Sequence, residues 1–180
     1  HDTCIENDGC VALLVTTPER AKDLKQKPAY ITAAAEATSW DSYCMTSYYR
    51  EDIGIPEMEE VGKELWKRAK LTPKDMDVVE FYDAFSSLVP MQMEVLGFVK
   101  KGEGGAFLQG GDRIRPTGEL PINTAGGMLS EAYIHGVNMI AEGVRQIRGT
   151  STTQIKKASK VLVTGGLGVP TSALILSKEQ

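Results

Sequence analysis

NTAGGMLSEAYIHG, residues 123–136, is the stretch on which the reading of this chain turns. Asn123, Thr124 and the pair Gly126 and Gly127 make a turn. After it, Leu129, Tyr133, Gly136, Val137, Ile140, Val144 and Ile147 fall along one stripe. That spacing predicts one long buried helix from Gly126 to Gly149. The unpaired N–H groups and positive dipole end of such a helix suit an oxyanion or a carboxylate. Gly136 and Gly143 weaken a helix, a cost usually offset by close packing or a ligand. On a regular helix Tyr133 and His135 point about 200° apart, so they do not face one site, and His135 reads as structural by default.

Working outward, the segments on either side fill in an alternating pattern. Lys160–Thr164 and Ser172–Leu176 are apolar strands joined by GGLGVP. Upstream, the glycine-rich Lys100–Pro121 reads as an extended loop. Ser86–Gly97 reads as a helix whose Met91, Met93 and Leu96 are core filler. Val78–Phe81 is a short strand, preceded by a Thr72–Pro73 turn with acids in its first turn. Pro56 opens a helix to about Lys70, with Met58, Val61, Leu65, Trp66 and Ala69 at helical spacing. Thr38–Pro56 has no clean period and reads as a loop or lid, in which Trp40, Tyr43, Tyr48 and Tyr49 either line a pocket or pack the loop down. Ala29–Ala35 and Val11–Thr16 read as strands, the latter buried, with a short helix from Pro18 between them. The order implies an α/β layered fold with a mixed sheet whose last two strands are antiparallel.

Composition narrows the function. Of 180 residues 42% are apolar and the net charge is −4, which argues against the basic face that nucleic-acid binding needs. No apolar run approaches the ~20 residues of a membrane span. Cys4, Cys10 and Cys44 are an odd set without zinc-site spacing, as expected of a cytoplasmic protein. VLVTGGLG, residues 161–168, mimics a dinucleotide fingerprint, but that motif needs a helix after its glycines, and Pro170 with SALIL follows instead. Gly166 and Gly168 fit a tight turn that lets backbone approach a ligand. EFYDAF, residues 80–85, sits at a strand end, where ligand loops gather in α/β sheets. Tyr82 and Asp83 there are either a catalytic pair or a core tyrosine beside a carboxylate capping the next helix, and the segment alone favours the second.

Four segments in order, DGC at 8–10, EFYDAF, NTAGGMLSEAYIHG and TGGLGVPTSALIL at 164–176, resemble the C-terminal half of the thiolase superfamily over essentially the whole chain. The resemblance implies a thiolase-like layered fold. Residues 1–37 would be the tail of an N-terminal half, 38–56 a loop or lid, and 57–180 the C-terminal domain. Thiolases hold the thioester oxygen with an asparagine and a histidine and use a loop cysteine as acid and base. Here Tyr82 and Tyr133 stand at the first two positions, and residues 161–168 hold no cysteine. FYDAF with SEAYIHG is instead similar to the thiolase-like lipid-transfer proteins that act as aldolases on steroid side-chain CoA esters. The implied activity is retro-aldol cleavage of a β-hydroxyacyl-CoA, with Tyr82 and Tyr133 catalytic. Asn123, Gly126, Gly127, Gly166 and Gly168 would bind substrate, and Asp83 and His135 would support. A tyrosine base needs a positive neighbour or donor, and His135 serves only if the helix is distorted.

Two other functions remain open at this point. One is a thiolase or acyltransferase acting on a β-oxoacyl-CoA with a cysteine from the other half. The other is a noncatalytic lipid carrier or complex subunit. The family habit also implies coenzyme A as thioester or cosubstrate, a homodimer, and a partner bearing a zinc ribbon and an OB-fold.

Overall fold

Four strands, β1 (Tyr30–Ala37), β2 (Val78–Glu80), β3 (Lys160–Gly165) and β4 (Thr171–Ser177), form one sheet in the order β1–β4–β3–β2. The computed structural model describes residues 2–38, 54–166 and 171–179. β3 and β4 are antiparallel, as are β1 and β4, whereas β2 runs parallel to β3 with Val78 opposite Val161 and Glu80 opposite Val163. The sheet is therefore mixed, as the pattern of elements predicts. β1, from the stretch assigned above to the tail of the other half, is an edge of this same sheet.

Alternation decides which helix covers which face. Ala33, Ala35, Ala173 and Ile175 are buried on the side of α2 (Pro56–Ala69), which packs on β1 and β4 through Met58, Val61 and Leu65. Pro56 starts that helix, and Lys70 in the left-handed region ends it. The opposite face carries α6 (Val137–Arg148), which lies on β3 and β2. Its Gly143 lets the helix come down on the sheet, since a Cβ there would stand 3.0 Å from both Leu176 Cδ1 and Val163 Cγ2. Leu65, Met58, Met139, Leu162 and Ile175 are fully buried, and truncating any of them to alanine should cost about 2–5 kcal/mol.

The remaining helices are short: α1 (Pro18–Ala21), α3 (Leu88–Val95), α4 (Gly104–Leu108) and α5 (Gly127–Ser130). α4 and a 3-10 turn at Asp112–Ile114 occupy the stretch that its glycines suggest is a plain loop. Val11–Thr16 is not a strand. Leu13, Leu14 and Val15 are exposed, and no described strand pairs with the segment, so its strand-like composition has no ladder to join. The aromatic stretch with Trp40, Tyr43, Tyr48 and Tyr49 lies outside the described residues, as does Gly168.

The largest correction concerns the long helix. Instead of one element over Gly126–Gly149 there are two, α5 and α6, separated by residues 131–136. His135 (φ 49°) and Gly136 (φ 84°) are both left-handed, a conformation no right-handed helix continues through. Gly136 becomes the N-cap of α6. Asn138 in the first turn of α6 reaches back, its Nδ2 donating to Ala132 O at 2.9 Å and Glu131 Oε2 at 3.1 Å. The break thus replaces the lost helical bonds with side-chain ones.

Candidate active site

The segment leaving β2, residues 81–83, carries the first half of the site. Tyr82 is held by a closed ring of hydrogen bonds. Its N–H donates to Thr164 Oγ1 at 2.8 Å, the Thr164 hydroxyl donates to Gln92 Oε1 at 2.6 Å, and Gln92 Nε2 donates to the Tyr82 carbonyl at 2.7 Å. Gln92 and Thr164 are each 1% exposed, so no water competes for these groups. One residue earlier, Asn123 brackets Phe81: its Oδ1 accepts from Phe81 N at 2.7 Å and its Nδ2 donates to Phe81 O at 3.0 Å.

Asp83 caps a helix, but not the one that follows it. Its Oδ1 accepts from Met128 N at 2.7 Å, at the start of α5. Gly127 makes this possible, because a Cβ there would stand 2.1 Å from Asp83 Oδ2. Burial raises the Asp83 carboxyl above its ordinary value, and bonds from Met128 and Asn123 pull the other way. Asn123, Gly126 and Gly127, expected to bind substrate, here assemble the turn that seats Phe81 and Asp83.

The break between α5 and α6 carries the second half. Asn7 Oδ1 accepts from Tyr133 N at 2.7 Å, fixing the backbone of the break from the chain's first segment. The ring of Tyr82 lies beneath Gly136, where a Cβ would be 3.4 Å from Tyr82 Cδ2. That close approach lets the two phenols meet with their hydroxyl oxygens 3.1 Å apart. Tyr133 Oη is in turn 3.4 Å from His135 Nδ1, with the two rings 4.6 Å apart between centroids. The 200° separation of a regular helix does not apply, because both residues lie in the break.

The three side chains grade from buried Tyr82 through half-buried Tyr133 to exposed His135. Burial, then the Tyr133 hydroxyl beside it, pushes the Tyr82 phenol well above its ordinary value, so it remains a neutral donor. His135 and Gly136 also line a cleft of about 580 Å³ whose other walls include Gly166, Ser172 and Arg68. Of the predicted site residues, the structure therefore brings together Tyr82, Tyr133 and His135, with Gly166 across the cleft. Cys4 packs near this segment, its N–H donating to Ala84 O at 2.9 Å, and burial raises its thiol above the usual value.

Residues 36–178 match the family described as thiolase C-terminal domain-like. The chain belongs to that family. This thiolase-type chain is 53% identical over 176 residues to the 17-hydroxy-3-oxo-4-pregnene-20-carboxyl-CoA lyase of Mycobacterium tuberculosis, covering 97% of the chain and 45% of that protein. It is 49% identical over 180 residues to the steroid side-chain-cleaving aldolase of Thermomonospora curvata, covering 99% of the chain and 46% of the relative. The chain thus spans somewhat less than half the length of these curated relatives. Among solved structures it resembles the Ltp2-ChsH2(DUF35) aldolase, with a TM-score of 0.85 and 50% identity over 89% of this chain and 42% of that one.

Several residues that build this thiolase-type site escape a reading of the sequence. Gln92 sits in a methionine-rich helix and looks like filler. Its role depends on partners 10 and 72 residues away. Asn7 lies 126 residues from the tyrosine backbone it holds. Only Asn123, an asparagine at a turn before two glycines, gives a local signal.

Proposed function

We propose that this chain supplies the tyrosine pair of an acyl-CoA retro-aldolase acting on a β-hydroxyacyl thioester of a steroid side chain. The observation that carries the reading is the line Tyr82 Oη–Tyr133 Oη–His135 Nδ1, at 3.1 and 3.4 Å, with its inner phenol kept neutral by burial. The names of the lyase and the aldolase described above support the substrate class.

The roles divide by environment. Tyr133 passes its proton to His135 Nδ1, and the resulting phenolate takes the proton of the substrate's β-hydroxyl. The Cα–Cβ bond breaks, a carbonyl forms on the departing β-carbon, and the electron pair moves onto the thioester as an enolate. Neutral Tyr82 donates to the enolate oxygen, where charge develops. The proton returns from His135 through Tyr133 to Cα, completing the shorter acyl-CoA. No covalent enzyme intermediate is required, and Cys4, held as a thiol, takes no part. The name of the solved relative joins an aldolase to ChsH2(DUF35). A second protein of that type would pair with the intact enzyme.

The test is turnover of a steroid side-chain β-hydroxyacyl-CoA by the intact enzyme. Tyr82→Phe and Tyr133→Phe should each lower kcat by about 10²–10⁴-fold with an unchanged circular dichroism spectrum. Near-wild-type rates in both variants would sink the assignment. A strict need for free CoA, with inactivation by iodoacetamide, would favour acyl transfer instead.

A further inference from the structure

At the end of β2, two residues before Tyr82, begins a buried cluster of acidic and polar side chains that the proposed chemistry does not use. Glu80, the last residue of β2, is 0% exposed, and Glu142 and Gln146 on α6 are 1% and 0% exposed. They meet at one atom, the hydroxyl oxygen of buried Thr124. That oxygen is 2.7 Å from Glu80 Oε1, 2.7 Å from Glu142 Oε1 and 2.9 Å from Gln146 Nε2. The orientation of the Gln146 amide is fixed: its Oε1 accepts from Ile155 N at 3.0 Å and its Nε2 donates to Thr153 O at 2.9 Å. Gln146 is therefore a donor to Thr124.

The proton count follows. A hydroxyl has one hydrogen to give and two lone pairs. With one lone pair taken by Gln146, Thr124 donates to one glutamate and accepts from the other. Were both carboxyls ionised, one 2.7 Å contact would set acceptor against acceptor in a site without water, at the full cost of an unmade buried bond. One of the two carries a proton.

The surroundings decide which. Glu142 Oε1 also accepts from Ser151 Oγ at 2.7 Å and Gln146 Nε2 at 3.0 Å, and Arg145 on the same helix stands 3.6 Å from Oε2. The Ser151 hydroxyl hydrogen is free for this because its oxygen already accepts from Thr153 N. A hydroxyl donor, an amide N–H shared with Thr124, and a cation favour an anion. Glu80 has less such company: beside the shared hydroxyl, the Thr124 N–H donates to its Oε1 at 3.2 Å, and no cation is paired with it among the described residues. Its Oε2 is buried with no partner, α6 presents the negative Glu142, the exit of its own strand presents Asp83, and β3 presents Val163 in register.

We infer that Glu80 is kept as an un-ionised carboxylic acid, that it donates its proton to Thr124, and that this bond makes Glu80 a positioning residue for the Tyr82 strand end. The bonded chain runs Glu80 to Thr124 to the Glu142 carboxylate, so it ties β2 to α6 through the turn at 123–127. That turn is the one whose Asn123 brackets Phe81 and whose Gly127 admits Asp83. The inference uses no substrate and stands whether or not the aldolase reading does.

Burial, with the two neighbouring carboxylates, pushes the Glu80 pKa up from 4.5 to about 8. The folded protein holds this proton while the unfolded chain releases it above 4.5. The stabilisation is therefore complete below that value and is lost as the pH rises through about 8.

The test is infrared spectroscopy of the intact protein at neutral pH. The C=O stretch of an un-ionised buried carboxyl, sensitive to deuterium exchange, should be present in the wild type. It should vanish in Glu80→Gln and persist in Glu142→Gln. Thermal midpoints of the wild type should fall as the pH rises from weakly acidic to weakly alkaline, and Glu80→Gln should flatten that dependence. Turnover lost in Glu80→Ala should return in Glu80→Gln, whose amide still donates to Thr124. Absence of the un-ionised band from the wild type overturns the proposal, as does a band that survives in Glu80→Gln and disappears in Glu142→Gln.

Discussion

At φ 49°, His135 holds a backbone conformation in which the Cβ of an L-residue crowds the following carbonyl. Gly136 beside it adopts the same region without that penalty. A strained residue at the exposed end of the Tyr82–Tyr133 line is more easily understood if its ring does something the backbone alone does not need. The two contributions separate in His135→Gly. Relief of strain, less the entropy a glycine adds to the unfolded chain, should leave stability within about 1 kcal/mol of wild type or slightly above it. Turnover should nevertheless fall by about 10–100-fold, because Tyr133 loses its proton acceptor. Denaturation midpoints measured beside kcat decide the matter, and a glycine variant with full kcat would remove His135 from the relay. The same residue is where sequence reasoning fails instructively. Apolar periodicity carries straight through residues 126–149, and the only local sign of the break is Gly136, a glycine on the buried stripe.

At the level of elements, the site is a junction of β2, α3, β3 and the α5–α6 break, clamped by side chains from each. α3 matters most here, since Gln92 closes the ring around the Tyr82 backbone with Thr164 of β3. Gln92→Leu keeps the helix and roughly the volume, but leaves the Tyr82 carbonyl and the Thr164 hydroxyl without their buried partner. Each such loss costs about 1–3 kcal/mol. The expected outcome is a less stable enzyme in urea titration whose kcat falls more than its KM rises, because the phenol is misplaced rather than the substrate lost. A change confined to KM would show that Tyr82 does not depend on the clamp. The elements themselves were largely legible: β1, α2, β2, β3 and β4 fall where period, proline and glycine place them, because those signals are local. The clamps were not. Asp83 reads from the sequence as a helix cap, and it is one, yet the N–H it caps, that of Met128, lies 45 residues later. Val11–Thr16 shows the converse, a strand-like run without a described strand to pair with.

For the whole molecule, the distribution of apolar surface is the informative quantity. Leu14 is 83% exposed, Val15 74% and Ile31 51%, so the run before α1 and the edge strand β1 both present hydrophobic side chains to water. Among the described residues no strand pairs with the outer edge of β1, although Arg68 Nη1 reaches the Ala34 carbonyl there at 3.2 Å. The edge of β2 is better covered, since Val79 bonds to the Pro121 carbonyl and the Asn123 amide. An open edge beside exposed aliphatic residues is a site of association in any chain that presents it. The 180 residues by themselves should therefore self-associate, with light scattering giving a mass well above 19.6 kDa that rises with concentration. Replacing Leu14, Val15 and Ile31 by serine should reduce the scattering of the isolated chain. In the longer relatives, where this chain accounts for 45–46% of the length, the equivalent apolar positions should be protected from hydrogen exchange. A monodisperse, active monomer of residues 1–180 would show instead that this surface needs no cover.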